Sequence, residues 1–231
     1  MPNACFLILM VIATLAAPLA PLHAQETGTL IQRKAAQIDG RTKEAARKTV
    51  DAFAECLVSR SPGRVAKLAE LAVDTPAYDK QYRSLFKTMG DECLSGGDLG
   101  FSALIIRGSL YTALYNREFK LNPPLAFDPA INTGNRALYS EPYSDAARSA
   151  IALNNMGECV ARADAANVRA LLGSVPGSDF EDQAFRTLLP KISGCITKDN
   201  KITFSKVILK GVLAEGLYRL SVAHRTQVVV K

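Results

Sequence analysis

From Thr42 to Arg60 the apolar residues Ala46, Val50, Phe53, Leu57 and Val58 recur at spacings of three and four. That spacing puts them on one stripe of an α-helix, which Thr42 can cap. Ser61-Pro62 restarts a short helix carrying Val65, Leu68 and Leu71, with proline at its first helical position. Thr75-Pro76 repeats the device for a helix bearing Tyr82, Leu85, Phe86 and Met89, which ends near Gly96-Gly97. Ser102 caps a fourth, running through Ile105, Ile106, Leu110 and Leu114.

The same punctuation returns with different letters. Ser144, Asp164, Ser178 and Ser205 stand at helix starts, Gly173 and Gly177 act as breakers, and Pro190 interrupts the third helix of this second set, where it should kink or divide it. Phe53 to Tyr115 can be laid over Met156 to Tyr218 at an offset of 102 or 103 residues. Glu55-Cys56 then matches Glu158-Cys159, and Cys93 matches Cys195. Phe101-Ser102 falls on Phe204-Ser205, Arg107-Gly108 on Lys210-Gly211, and Leu114-Tyr115 on Leu217-Tyr218. An ordered series at a fixed offset reads as a duplication. The expected fold is all-α, with two homologous four-helix units, residues 42–118 and 144–223, packed with approximate internal two-fold symmetry. Between them, residues 119–143 hold Pro123, Pro124, Pro129 and Pro142 and read as a loop; residues 25–41 and 224–231 are left as terminal segments.

Residues Cys5 to Ala17 form an apolar run, and Leu22-His23-Ala24 fits the small-residue cleavage pattern of a signal peptide spanning residues 1–24. The departure is that Met1 to Ala4 carries no Lys or Arg. A retained anchor is the alternative, but Pro18 and Pro21 interrupt the run well short of the roughly 20 apolar residues that a span requires. Cleavage removes Cys5 and leaves Cys56, Cys93, Cys159 and Cys195, an even set in a periplasmic or secreted chain. Equivalent positions in duplicated units should pair within each unit, so Cys56 is expected with Cys93 and Cys159 with Cys195. None of the four forms a CxxC pair and the mature chain keeps one histidine, His224, so no metal site is expected.

The doubled pattern Glu-Cys, Cys, Phe-Ser and Arg/Lys-Gly followed by Leu-Tyr resembles a group of uncharacterised exported alphaproteobacterial proteins. The resemblance covers most of the mature chain. It implies the architecture and supplies no activity, ligand or catalytic residue.

Candidate chemistry is sparse. Glu55 and Glu158 precede the first cysteine of each unit, and Arg107 and Lys210 occupy matched places on the fourth helices. A carboxylate beside a cation suits an acid and base pair, but a recurring one more often fixes helix register as a partly buried ion pair. Gly108 and Gly211 sit inside helices, where glycine costs about 1 kcal/mol relative to alanine. Close approach of another helix backbone would offset that cost, so the two glycine-bearing helices are expected to cross at the centre, with Gly216 extending the small-residue surface. Tyr115 and Tyr218 read as buried rings with bonded hydroxyls. Gly96-Gly97-Asp98-Leu99-Gly100 follows a helix instead of a strand and reads as a helix stop. There is no GxSxG, HExxH or Walker loop, and no cofactor is expected.

With 48% hydrophobic and 22% charged residues the chain is an ordinary globular one, but it has no tryptophan. A stacking platform for single-stranded nucleic acid is thereby disfavoured, as export also argues. From Gln183 to Lys231 nine lysines and arginines stand against Asp199 and Glu215, a net +7 in a chain of +6. Lys198, Lys201 and Lys206 make a candidate patch for an envelope protein or an anionic envelope component, against the plainer reading of a solvated helix face and a basic turn. The expected function is a non-enzymatic interaction or envelope-associated binding role. The alternative is a hydrolase or other enzyme with acidic residues in a cleft between the units.

Overall fold

The computed structural model describes residues 40–73, 75–94, 102–196 and 205–230. The expected signal peptide, residues 25–39, the Gly96–Gly100 turn, Lys198 and Lys201 lie outside them. Among the described residues there are eight α-helices and no strand: α1 (Gly40–Arg60), α2 (Pro62–Ala69), α3 (Pro76–Cys93), α4 (Ala103–Phe119), α5 (Asp145–Ala163), α6 (Ala165–Leu172), α7 (Asp179–Cys195) and α8 (Lys206–Val230).

Short polar side chains start most of these helices. The Oγ of Ser102, Ser144 and Ser178 accepts from the backbone N–H three residues on, at 3.4, 3.1 and 3.1 Å, and Asp164 Oδ1 accepts from Asn167 N–H at 3.1 Å. Each satisfies an N–H that the helix cannot pair internally. At three places the helices depart from the periodicity. Helix α1 already begins at Gly40, so Thr42 lies inside it and is not its cap. Pro190 does not divide α7: it is exposed, on the side where solvent can take the carbonyl that its missing N–H leaves over. Helix α8 runs on to Val230, so residues 224–230 extend the last helix where a tail was expected.

Helices α4 and α8 pack on each other in the middle; α1 lies against α4 and α5 against α8, so the four long helices form a row α1–α4–α8–α5. The short α2 and α6 pack on α4 and α8, and α3 and α7 lie outside them. Phe53, Leu57, Val65, Leu68 and Leu85 are buried on one side, Val160, Val168, Leu171 and Leu188 on the other, and Leu114 and Leu217 on the central helices. Burying such a side chain fully is worth roughly 1.5–3 kcal/mol.

Cys56 is bonded to Cys93 and Cys159 to Cys195, with Cα–Cα distances of 5.7 and 5.8 Å, so α3 is tied to α1 and α7 to α5. The sequence separations of 37 and 36 residues imply about 4 kcal/mol of stabilisation per bridge in the loop-entropy treatment. Denaturant unfolding of the Cys56→Ala/Cys93→Ala and Cys159→Ala/Cys195→Ala variants should show a loss of that order for each pair. A loss under about 1 kcal/mol would mean that the outer helices need no staple.

Candidate functional site

Gly108 and Gly211 face each other where α4 crosses α8. A Cβ placed on Gly108 would lie 2.5 Å from the Gly211 Cα, and one on Gly211 would lie 2.8 Å from the Gly108 Cα, inside any real contact. A second crossing, of α5 on α8, is as tight: a Cβ on Gly216 would meet the Gly157 carbonyl carbon at 2.4 Å. Backbone therefore fills the space in which a central cleft would have to open. Cavities of about 20 and 40 Å³ flank the α4–α8 crossing, each enough for a water or two.

Each flank holds a buried cation. On one, Arg107 donates from Nε and Nη2 to Glu215 at 3.0 and 2.9 Å and from Nη1 to the Leu71 carbonyl at 3.3 Å. Arg219 donates to the same carboxylate at 3.0 Å and to the Ala69 carbonyl at 2.9 Å. Both guanidinium groups also reach the Tyr111 hydroxyl and lie over its ring, and Arg107 lies 5.4 Å from the Tyr78 ring centroid. Burial pushes the Glu215 carboxyl up, but Arg107 and Arg219 outweigh it and hold it below the usual range.

On the other flank Lys210 donates to the Ser174 carbonyl at 2.9 Å and lies 3.5 Å from Glu181. Glu181 is wholly buried, accepts both arms of Arg47 at 2.5 and 2.9 Å, and also accepts the N–H of Gly177 at 3.0 Å. Gly177 has φ of 78°, the left-handed conformation that suits glycine, and so its N–H is presented to the carboxylate. Burial raises the Glu181 carboxyl, yet these donors bring it below its ordinary value, while burial lowers the Lys210 ammonium.

These pairings correct the sequence reading. Arg107 and Lys210 are salt-bridged, but to Glu215 and Glu181 and not to Glu55 and Glu158. Glu55 is exposed on α1. Glu158 accepts from the Thr133 hydroxyl, and burial lifts its carboxyl above the usual range. The cations point inward from the crossing toward the ends of α2 and α6, whereas Glu55 lines the groove between α1 and α4 and Glu158 faces Thr133 of the 120–143 segment. Lys206 is also not a bare patch residue: its ammonium lies 2.6 Å from Asp182. The Tyr218 hydroxyl donates to Glu118 at 2.8 Å, and the Tyr115 ring is buried.

A groove of about 350 Å³ opens between α1, α4 and the turn after α6. Lys48, Asp51 and Glu55 line one wall, Thr112, Asn116 and Lys120 another, and Lys210 lies at the bottom. Ser109 donates to Asp51 at 2.6 Å on its edge. This bond ties α4 to α1. The groove offers both signs of charge and several hydroxyl and amide groups for recognition.

A face of α5 and α8 is covered by residues 120–143. Arg162 donates to the Asp128 and Ile131 carbonyls at 2.8 and 2.6 Å, Ile131 is buried, and Tyr139 lines a cavity with Arg107, Asn154 and Glu215. The loop is thus an ordered cover, carrying one 3₁₀ turn at Asn135–Leu138.

Among the described residues no group of His, Cys, Asp or Glu is placed to hold a metal ion, and no helix is long and apolar enough to cross a membrane. No protein family, curated protein or solved structure matches the chain.

Proposed function

We propose that the chain is an exported, periplasmic or secreted protein with a non-enzymatic interaction or envelope-associated binding role, built from two homologous four-helix units about an approximate two-fold axis. The observation that carries the binding reading is the filled centre: a reaction between the units would need a cleft where Gly108 meets Gly211. The buried charges are consumed by one another and by the carbonyls of Ala69, Leu71 and Ser174. The open groove, in contrast, is polar and mixed in charge, with surface for recognition on both walls.

The duplication is supported by equivalences that go beyond letters. Arg107 reaches the Leu71 carbonyl and Lys210 the Ser174 carbonyl, both across 36 residues. The two small cavities are lined by residues at one offset: Val50 and Leu153, Asp51 and Asn154, Ile105 and Ile208, Thr112 and Glu215. Two disulfides suit the oxidising compartment to which a signal peptide would send the chain.

The test is affinity capture from an envelope extract by the immobilised exported protein, beside a Lys48→Glu/Lys120→Glu groove variant. Expected is a defined partner that the parent retains and the variant loses. Equal capture by both, or none by either, would overturn the groove as a binding face.

A further inference from the structure

Beyond α4 the chain makes a turn in which Leu121 is 100% exposed and Leu125 is 84% exposed. Pro123 and Pro124 stand between them, each with its φ locked by its ring. This turn is held firmly at both ends. Phe119 before it and Phe127 after it are buried, and the Phe127 ring meets His224 edge-on with centroids 6.2 Å apart. Arg169 donates to the Pro124 carbonyl at 2.9 Å. The fold therefore spends several contacts on presenting two bare leucines, in a turn that polar residues would serve equally well.

Exposed cations, Arg117 and Lys120, flank these leucines. The neighbouring carboxylate, Glu118, is engaged by Arg225 and Tyr218, each at 2.8 Å; Asp128 is the exposed acid further along. Bare leucines beside cations match the interface of an anionic bilayer, where apolar tips enter the acyl boundary and amines meet headgroups. A protein partner fits less well. Two leucines and two prolines on one turn are far smaller than the roughly 800 Å² per partner that a specific protein interface buries, whereas a bilayer asks only for insertion of a tip.

We propose that the Leu121–Leu125 turn is a membrane-docking tip that seats this protein on an anionic bilayer surface. The assignment rests on the envelope-associated reading above, and it moves the lipid contact from Lys198, Lys201 and Lys206 to a different part of the chain.

The protein purified from its exported pool, without detergent, should co-sediment with phosphatidylglycerol-containing vesicles and much less with phosphatidylcholine vesicles. Leu121→Ser and Leu125→Ser should each weaken partitioning about tenfold, the lower end of what burial of a leucine supplies. Arg117→Glu should weaken it about fivefold or more at low salt, corresponding to about 1 kcal/mol per charge near the surface. Neither kind of variant should move the unfolding midpoint, since the side chains are exposed.

The chain has no tryptophan, so Leu125→Trp is a sole reporter, whose emission should shift to the blue on anionic vesicles. Emission that stays put, or partitioning that survives the Leu121→Ser/Leu125→Ser variant but is lost when Lys198, Lys201 and Lys206 are reversed, overturns the tip and leaves the envelope reading standing. If no vesicle binds but envelope capture is lost in the double serine variant, the turn docks a protein and the membrane assignment is overturned. Absence of both vesicle binding and envelope capture overturns the envelope reading itself.

Discussion

Gly108→Leu is expected to be among the most damaging single substitutions in the molecule, with Gly211→Leu close behind. Alanine at either site gains about 1 kcal/mol of intrinsic helix propensity, yet its Cβ would stand 2.5–2.8 Å from the opposite Cα. The obstacle is backbone, which cannot rotate away, so α4 and α8 must move apart and loosen Leu114, Leu213 and Leu217, all fully buried. Overpacking of a tight core typically costs 1–3 kcal/mol and occasionally more. A leucine here belongs at or beyond the top of that range, and alanine near its middle. Thermal or denaturant unfolding reads the effect directly. Gly63 or Gly194, around which a Cβ meets nothing within 4 Å, serves as the control. Parent-like melting of both Gly108→Leu and Gly211→Leu would mean that the crossing is not the structural centre.

Removal of the Glu215 carboxylate is the second large effect. Arg107 and Arg219 are buried within reach of it, and Glu215→Ala would leave two guanidinium groups without their counter-charge. Breaking a buried ion pair from one side costs about 3–5 kcal/mol. Replacing Arg107, Glu215 and Arg219 together by apolar residues of similar volume should cost much less, because no charge is then stranded. A triple variant as unstable as Glu215→Ala would contradict that account.

The same carboxylate sets a pH dependence. Its folded-state value lies below the ordinary carboxyl range, as does that of Glu181, so the stabilisation is present above that range and is lost as the pH falls through the folded values. Glu158 is shifted upward, so it has the opposite sign and favours the folded state slightly as the pH falls through its folded value. The two buried depressed carboxylates, joined by the exposed Asp182 that Lys206 lowers, against one raised one predict net destabilisation below about pH 4, and Glu215→Gln should flatten that limb.

Local chemistry made much of the fold legible. Ser102, Ser144 and Ser178 announced helix starts because a hydroxyl three residues ahead of an orphan N–H is a short-range device. The cystine pairs followed from matched positions, and the glycines from a helix cost that needed a compensating contact. The carboxylates escaped for a physical reason: looking for chemistry at matched positions finds only groups present in both halves. At the offset of 103 residues in the proposed duplication, Glu215 falls on Thr112 and Glu181 on Tyr78. One buried cation is therefore met by a tyrosine ring where the other meets a carboxylate. Gly157 escaped too, since its counterpart Ala54 hides the pattern, although both are small residues on the face that meets the next helix. The end of α8 was missed because His224-Arg225-Thr226-Gln227 reads as polar tail, while Arg225 reaches Glu118 and His224 meets Phe127.

The segment from residue 120 to 143 has a consequence for counting. It lies over α5 and α8, while the groove beside α1 and α4 stays open; in the proposed duplication these are the two equivalent faces. On the proposed duplication, the described residues then leave one of the two faces open. Titration of any groove ligand should reach a stoichiometry of one per chain, with a simple hyperbolic isotherm. Clustering of partners would have to come from several copies of the chain, never from two arms of the same one.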